Sequence, residues 1–334
     1  MSYGTVTREL ATRFKQDFDE LVGLVSTSFF GSPEIVRMAI VCLAAEGHVL
    51  LDGIPGVGKT SLARAMARSA GGTVRRIQFT PDLLPTDITG SDFLDENRAL
   101  QFRPGPLFSN IVLADEINRA SPKTQSALLE AMQERQVTNS GYSYRLPRPF
   151  IVMATQNPKE FAGTYDLPEA EIDRFMMRIA ISYPDDVSDE AAILGYNIEA
   201  NEDESTDELQ GGHTQLIESM IDTARRVILR PNLRAYIVDI LRETRRMSVS
   251  KKEGGEGLLR LGVSPRGGVM LARAAQSWAI SHGSPFVTDD HIKQVAPFVL
   301  THRMLVDYGV AETGVTARDL LDDVLRTVRS PQHR

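Results

Sequence analysis

The chain contains one cysteine, Cys42, set inside the apolar stretch Met38-Ala39-Ile40-Val41-Cys42-Leu43. That excludes a disulfide framework, and a thiol in such surroundings reads as a small buried hydrophobe rather than a nucleophile or ligand. The six histidines, His48, His213, His282, His291, His302 and His333, show no i, i+4 pairing and no cysteine partner, which argues against zinc. No apolar run is long enough to cross a bilayer, and Met1-Ser2-Tyr3-Gly4-Thr5 does not lead from a basic stretch into an apolar core. A soluble, cytoplasmic protein is expected. Also missing is any long Lys/Arg block, and 37 basic against 44 acidic residues leave a net charge of −7. Binding nucleic acid through a general basic surface is therefore disfavoured.

What is present begins with length: 334 residues at 42% apolar composition suffice for two domains, each with its own core. The most informative stretch runs from His48. The apolar His48-Val49-Leu50-Leu51-Asp52 is followed without a gap by Gly53-Ile54-Pro55-Gly56-Val57-Gly58-Lys59-Thr60 and then by the amphipathic Ser61-Leu62-Ala63-Arg64-Ala65-Met66-Ala67. This is the strand, loop and helix order that a phosphate-binding loop requires. Gly53, Gly56 and Gly58 let the backbone N–H groups of the loop, with Pro55 and Val57 between them, turn towards phosphate oxygens. The helix start near Lys59, Thr60 and Ser61 adds the positive end of its dipole. Lys59 is placed to reach the β- and γ-phosphates, and Thr60 to ligate Mg²⁺. The bland alternative is a glycine-rich turn that only packs tightly.

A second chemical centre is Ile111-Val112-Leu113-Ala114-Asp115-Glu116. A buried strand ending in two acids delivers them to the carboxyl edge of a parallel sheet, where the phosphate loop also lies. Asp115 would hold Mg²⁺ and Glu116 would orient and deprotonate the attacking water. A further apolar strand, 150–155, ends in Gln156-Asn157-Pro158, so Asn157 could bond the γ-phosphate or the lytic water. Arg174 suits the charge that develops on a transferring phosphoryl group, although on the residues alone a salt bridge to Asp173, Glu171 or Glu169 is the favoured reading. Arg266 occupies the first turn of a predicted helix opened by Ser264-Pro265, an unfavourable place for a cation unless an anion, inferred to be the nucleotide, is near.

The rest of the chain alternates structure types and then stops doing so. Residues 6–30 and 33–45 read as helices, the second with Ser32 as N-cap and Pro33 at its first position. A strand is predicted over 73–79. Segments 88–94 and 99–103 form either a hairpin or a surface loop, whereas 136–139 and 142–146 around Ser140-Gly141 give a stronger hairpin signal. A short helix near 167–175 precedes a strand over 177–181. Beyond Tyr183-Pro184 only helices are predicted, over 213–229, 232–246, 265–282, 288–300 and 316–328, with Asn232, Ser264 and Thr288 as N-caps. Residues 199–208 read as an acidic exposed connection and 251–257 as a glycine-rich loop.

Taken together, these motifs resemble those of the AAA+ ATPases, and within them the MoxR group. The marks are the Gly53 to Thr60 loop, Leu113-Ala114-Asp115-Glu116-Ile117-Asn118-Arg119-Ala120, Ala154-Thr155-Gln156-Asn157-Pro158, Glu169-Ala170-Glu171-Ile172-Asp173-Arg174-Phe175 and Ser264-Pro265-Arg266. The resemblance implies an α/β fold, an αβα sandwich with a parallel five-stranded sheet over 1–184, followed by an all-α lid over 185–334. It implies ATP and Mg²⁺ as cofactors, Asn157 as sensor 1, Arg174 as an arginine finger offered to a neighbouring subunit, and Arg266 as the sensor 2 arginine. It also implies a homo-oligomer, a hexameric ring, and a role for the hairpins at about 87–103 and 136–147 as the helix 2 insert and the pre-sensor 1 hairpin. Arg119 would stand near a subunit boundary. Members of the group look like chaperones that remodel protein clients, often with a von Willebrand factor A domain, and assist metal or cofactor insertion. Two alternatives stay open: a DNA-acting ring using Tyr142, Tyr144 and Arg145, and a nucleotide-gated switch with slow hydrolysis.

Overall fold

The computed structural model describes residues 5–29, 31–54, 56–70, 72–156, 164–183, 209–211, 214–249 and 257–331, with Val187 and Glu190. Pro55, Asn157, the acidic stretch 199–208 and most of the loop 251–257 lie outside the described residues. Backbone contacts divide the chain into two compact units, residues 20–175 with 179–219, and residues 1–19 with 176–178 and 220–334.

Up to residue 211 the chain forms, in order, α1 (Arg8–Ser26), α2 (Pro33–Ala44), β1 (Val49–Asp52), α3 (Lys59–Ala70), β2 (Gly72–Gln78), α4 (Pro85–Thr89), β3 (Gly90–Leu94), β4 (Leu100–Pro104), β5 (Ile111–Asp115), α5 (Pro122–Glu134), β6 (Gln136–Asn139), β7 (Tyr142–Arg145), β8 (Ile151–Gln156), α6 (Glu169–Ile172), β9 (Met177–Ala180) and β10 (Leu209–Gly211). Five strands make the parallel sheet, in the order β2-β5-β8-β1-β9, and β10 joins antiparallel beside β2. Every residue of β1 and β5 is buried, as are all but the last of β8. Continuous burial on both faces explains why these strands read as apolar runs without alternation. Their side chains join Leu128, Leu129 and Met132 of α5 in one core with Phe79, Phe150 and Phe175.

Both hairpins form. In the first, the Asp95 carboxylate accepts the N–H groups of Asn97 and Ala99 at 2.9 and 2.8 Å, closing the turn between the paired Leu94 and Leu100. In the second, Ser140 and Gly141 both take positive φ, 48° and 83°, the geometry of a tight two-residue turn. The hairpins touch each other: Tyr144 stacks on Phe102 at 4.1 Å between ring centres, and Ser140 bonds Asp92.

The helices that follow in the chain are α7 (Thr214–Ala224), α8 (Pro231–Val249), α9 (Pro265–Ser281), α10 (Asp289–Leu300) and α11 (Ala317–Thr327). Ser264 and Thr288 cap α9 and α10 by accepting the Gly267 and His291 N–H groups. Asn232 is not a cap, because α8 starts one residue earlier with Pro231 in its first turn. Ser32 makes no side-chain capping bond, and Pro33 alone starts α2. A two-stranded patch, Leu259–Leu261 with Leu305–Val306, accompanies the helices.

His48 ties the sheet to α5. Its Nδ1 accepts the Val152 N–H at 3.0 Å and its Nε2–H faces the Met132 carbonyl at 3.2 Å, which fixes a neutral ring. Burial pushes its pKa down to about 4, partly offset by the bond to Met132. Between the ordinary value near 6.5 and about 4 the unfolded chain takes a proton that the folded chain refuses. Stability contributed by His48 is thus present above pH 6.5 and is lost as pH falls through this window, at about 1.4 kcal/mol per pH unit. Urea unfolding at pH 6.5 and 4.5 is expected to show this slope and to show less of it in His48→Asn, whose amide oxygen can still accept the Val152 N–H. An unchanged slope in that variant would assign the acid sensitivity elsewhere.

Candidate nucleotide site

The loop between β1 and α3 begins at Gly53. Gly56 and Gly58 take φ of 83° and 85°, where a side chain would be strained, so the tight turn requires glycine at both. Val57 is buried beneath the turn, and Thr60 and Ser61 lie in the first turn of α3. The Lys59 ammonium is folded against the loop, donating to the carbonyl of Gly53 and, at 3.1 Å, to that of Ile54.

The neighbouring strands bring the acids to this loop. β5 lies between β2 and β8, with Gln78 paired to Asp115 and Ala114 to Ala154. Asp115 is buried, and its Oδ1 accepts the Thr60 and Thr155 hydroxyls, each at 3.3 Å. Its other oxygen, Oδ2, accepts Nε–H of Arg76 at 2.7 Å. The chain then turns sharply: Glu116 has φ 56° and ψ 50°, and its N–H donates to Thr155 Oγ1 at 2.9 Å. A non-glycine residue in the left-handed region is uncommon, and here it follows directly on the buried acid. The Glu116 carboxylate is partly exposed, and its Oε2 accepts from Gln78 at 3.2 Å and Arg119 at 3.1 Å.

Thus Lys59, Thr60, Asp115 and Glu116 belong to one neighbourhood at the carboxyl edge of the sheet. Thr60 and Asp115 are hard oxygen donors that could hold a divalent cation, and the loop N–H groups with Lys59 could hold phosphates. Arg174 follows α6. Among the described residues it makes no ion pair or side-chain hydrogen bond, and its buried Nε lacks a partner. Glu171, one acid that could have paired with it, instead accepts from Ser126 at 3.2 Å. Arg266 is exposed in the first turn of α9, in the helical unit. Sequence reasoning missed Arg76, Gln78 and Thr155. The first two are alternate residues of β2 and share one face of it, but only the strand order puts that face beside Asp115 and Glu116.

Known proteins resemble this chain over most of its length. Residues 48–177 match the model of the ATPase family associated with various cellular activities (AAA), and residues 256–324 match that of the AAA lid domain. The chain is 39% identical over 326 residues to the uncharacterized protein YeaC of Bacillus subtilis, covering 96% of this chain and 98% of that one. It is 38% identical over 303 residues to Chaperone MoxR1 of Mycobacterium tuberculosis (90% and 79%), and 31% identical over 340 residues to Protein MoxR of Methylorubrum extorquens (97% and 96%). The crystal structure of a candidate ATPase from Cytophaga hutchinsonii superposes with a TM-score of 0.83 at 33% identity, covering 96% of this chain and 97% of that one. No helix among the described residues is long and apolar enough to cross a membrane. The chain belongs to the MoxR family of AAA+ ATPases and is an ATP hydrolase.

Proposed function

We propose that this ATPase works as a cytoplasmic hexameric ring in which Mg²⁺-dependent hydrolysis at subunit interfaces drives the remodelling of a protein client. The observation that carries the reading is the approach of Thr60 Oγ1 to Asp115 Oδ1, 3.3 Å, at the start of α3. Among the described residues no group of three or more His, Cys, Asp or Glu could cage an ion. One hydroxyl and one carboxylate instead suit Mg²⁺, which keeps several waters and shares phosphate oxygens. When bound, the ion would neutralise charge on the phosphates.

The roles follow from chemistry. Gly53, Pro55, Gly56, Val57 and Gly58 with Ser61 cradle the phosphates, and Lys59 exchanges its carbonyl contacts for the β- and γ-phosphates. Glu116 takes the proton of the attacking water and Asn157 orients it. Arg174 reaches the γ-phosphate of the adjacent subunit, and Arg266 closes on the nucleotide from the lid, with the domain boundary at 184/185. Replacing Lys59 with alanine is expected to weaken ATP binding ~10- to 100-fold by fluorescence titration, the loss of a charge-assisted contact. Undiminished binding would remove the loop from the nucleotide site.

For the client, the hairpins are the supporting feature. Leu94 and Leu100, paired at the end of the first hairpin, are 65% and 64% exposed, an apolar tip suited to protein rather than to nucleic acid. Tyr144 is committed to Phe102, which leaves it unsuited to stacking on a base. The client we infer carries a von Willebrand factor A domain, and its maturation includes metal or cofactor insertion.

A further inference from the structure

The geometry points to Arg76 as a positioning residue that sets both acids of the hydrolytic site through one guanidinium; this rests on the site reading above. Arg76 Nε donates to Asp115 Oδ2 at 2.7 Å, and its Nη2 donates to Gln78 Oε1 at 3.1 Å. The second bond fixes the polarity of the Gln78 amide. Its oxygen faces the guanidinium, so its NH₂ must face outward, and that NH₂ donates to Glu116 Oε2 at 3.2 Å. The two acids are therefore held by one rigid fork, directly in one case and through an amide in the other.

The carboxylate of Asp115 shows what the fork does. Arg76 takes Oδ2, while Oδ1 remains aimed at Thr60. The guanidinium bonds the oxygen that Thr60 does not, which fixes the carboxylate rotation that presents Oδ1 to a cation. Asp115 has 3% of its side chain exposed and Arg76 33%, so the contact is one-sided, with a buried acid held by a cation at the sheet edge. Partners of this outer kind typically change metal affinity or activity by ~10- to 100-fold when removed.

The test separates the two branches. Binding of a fluorescent ADP analogue is titrated with Mg²⁺, and ATP turnover is measured in parallel, for the full chain and four variants. Arg76→Gln should raise the half-saturating Mg²⁺ about tenfold and lower kcat by a similar factor, with binding in EDTA unchanged. Arg76→Lys keeps a cation near Asp115 but not the fork, so its Mg²⁺ titration should approach that of the parent while turnover stays low. Gln78→Leu breaks only the branch to Glu116 and should lower turnover without moving the Mg²⁺ titration. Thermal melting confirms folding, and Arg76→Lys and Gln78→Leu carry the test if Arg76→Gln does not fold. A Mg²⁺ titration that is unchanged, or shifted to lower concentration, in folded Arg76→Gln overturns the proposal, as does unchanged turnover in Gln78→Leu. Asp115→Asn separates the two levels. If it abolishes the Mg²⁺ effect while Arg76→Gln does nothing, only the role of Arg76 fails. If it leaves the Mg²⁺ effect intact, the metal assignment fails as well.

Discussion

Replacing Arg174 with alanine is expected to lower ATP turnover ~10³- to 10⁵-fold while leaving assembly and nucleotide affinity nearly unchanged. The size follows from the task, since neutralising charge on a transferring phosphoryl group acts mainly in the transition state. The specificity follows from the local structure. The Arg174 N–H closes the turn after α6 by donating to the Glu171 carbonyl at 3.1 Å, and that bond survives truncation of the side chain. The side chain itself leaves no acid orphaned among the described residues when it is removed. Arg174→Lys should not restore the rate, because a point charge cannot reproduce a planar fork. Steady-state phosphate release checks this, and undiminished turnover in Arg174→Ala would refute the assignment.

A second large effect is expected for Glu116→Gln: turnover down ~10²- to 10⁴-fold, with ATP still bound. The substitution removes the base but preserves shape. A glutamine at 116 can keep one oxygen towards Gln78 and Arg119, and it places no new atom in the turn at φ 56°. The variant should therefore hold ATP and retain clients, which makes it a trap for identifying them by co-purification. A Glu116→Gln protein that neither binds ATP nor assembles would show the acid to be structural, a counter-ion for Arg119.

Much of this site was legible in the sequence because its parts announce themselves locally. Apolar runs such as Val49–Asp52 and Ile111–Asp115 must be buried on both faces, and a run ending in Asp-Glu can deliver those acids only at a sheet edge. The turn at Ser140-Gly141 was equally plain, whereas the first hairpin depends on side-chain bonds from Asp95 that spacing does not display. What stayed hidden was whatever depends on strand order. Arg76 and Gln78 look like ordinary polar residues of a strand until β2 is found beside β5. The three-residue β10 carries no readable periodicity, so a sixth strand in the sheet was not foreseen. For Arg174 the sequence offered two readings. Glu171 is engaged by Ser126 and Arg174 makes no ion pair among the described residues, so the salt-bridge reading finds no support there, and the finger is tested by the Arg174→Ala rate.

Co-expressing Glu116→Gln and Arg174→Ala subunits probes most directly whether adjacent copies build one catalytic centre between them. Each variant alone should be nearly inactive. In random rings a site is whole wherever an Arg174→Ala subunit, with its intact Glu116, receives Arg174 from a Glu116→Gln neighbour, so about a quarter of the parental turnover should return. A mixture no more active than the sum of its parts would contradict a catalytic centre shared between subunits.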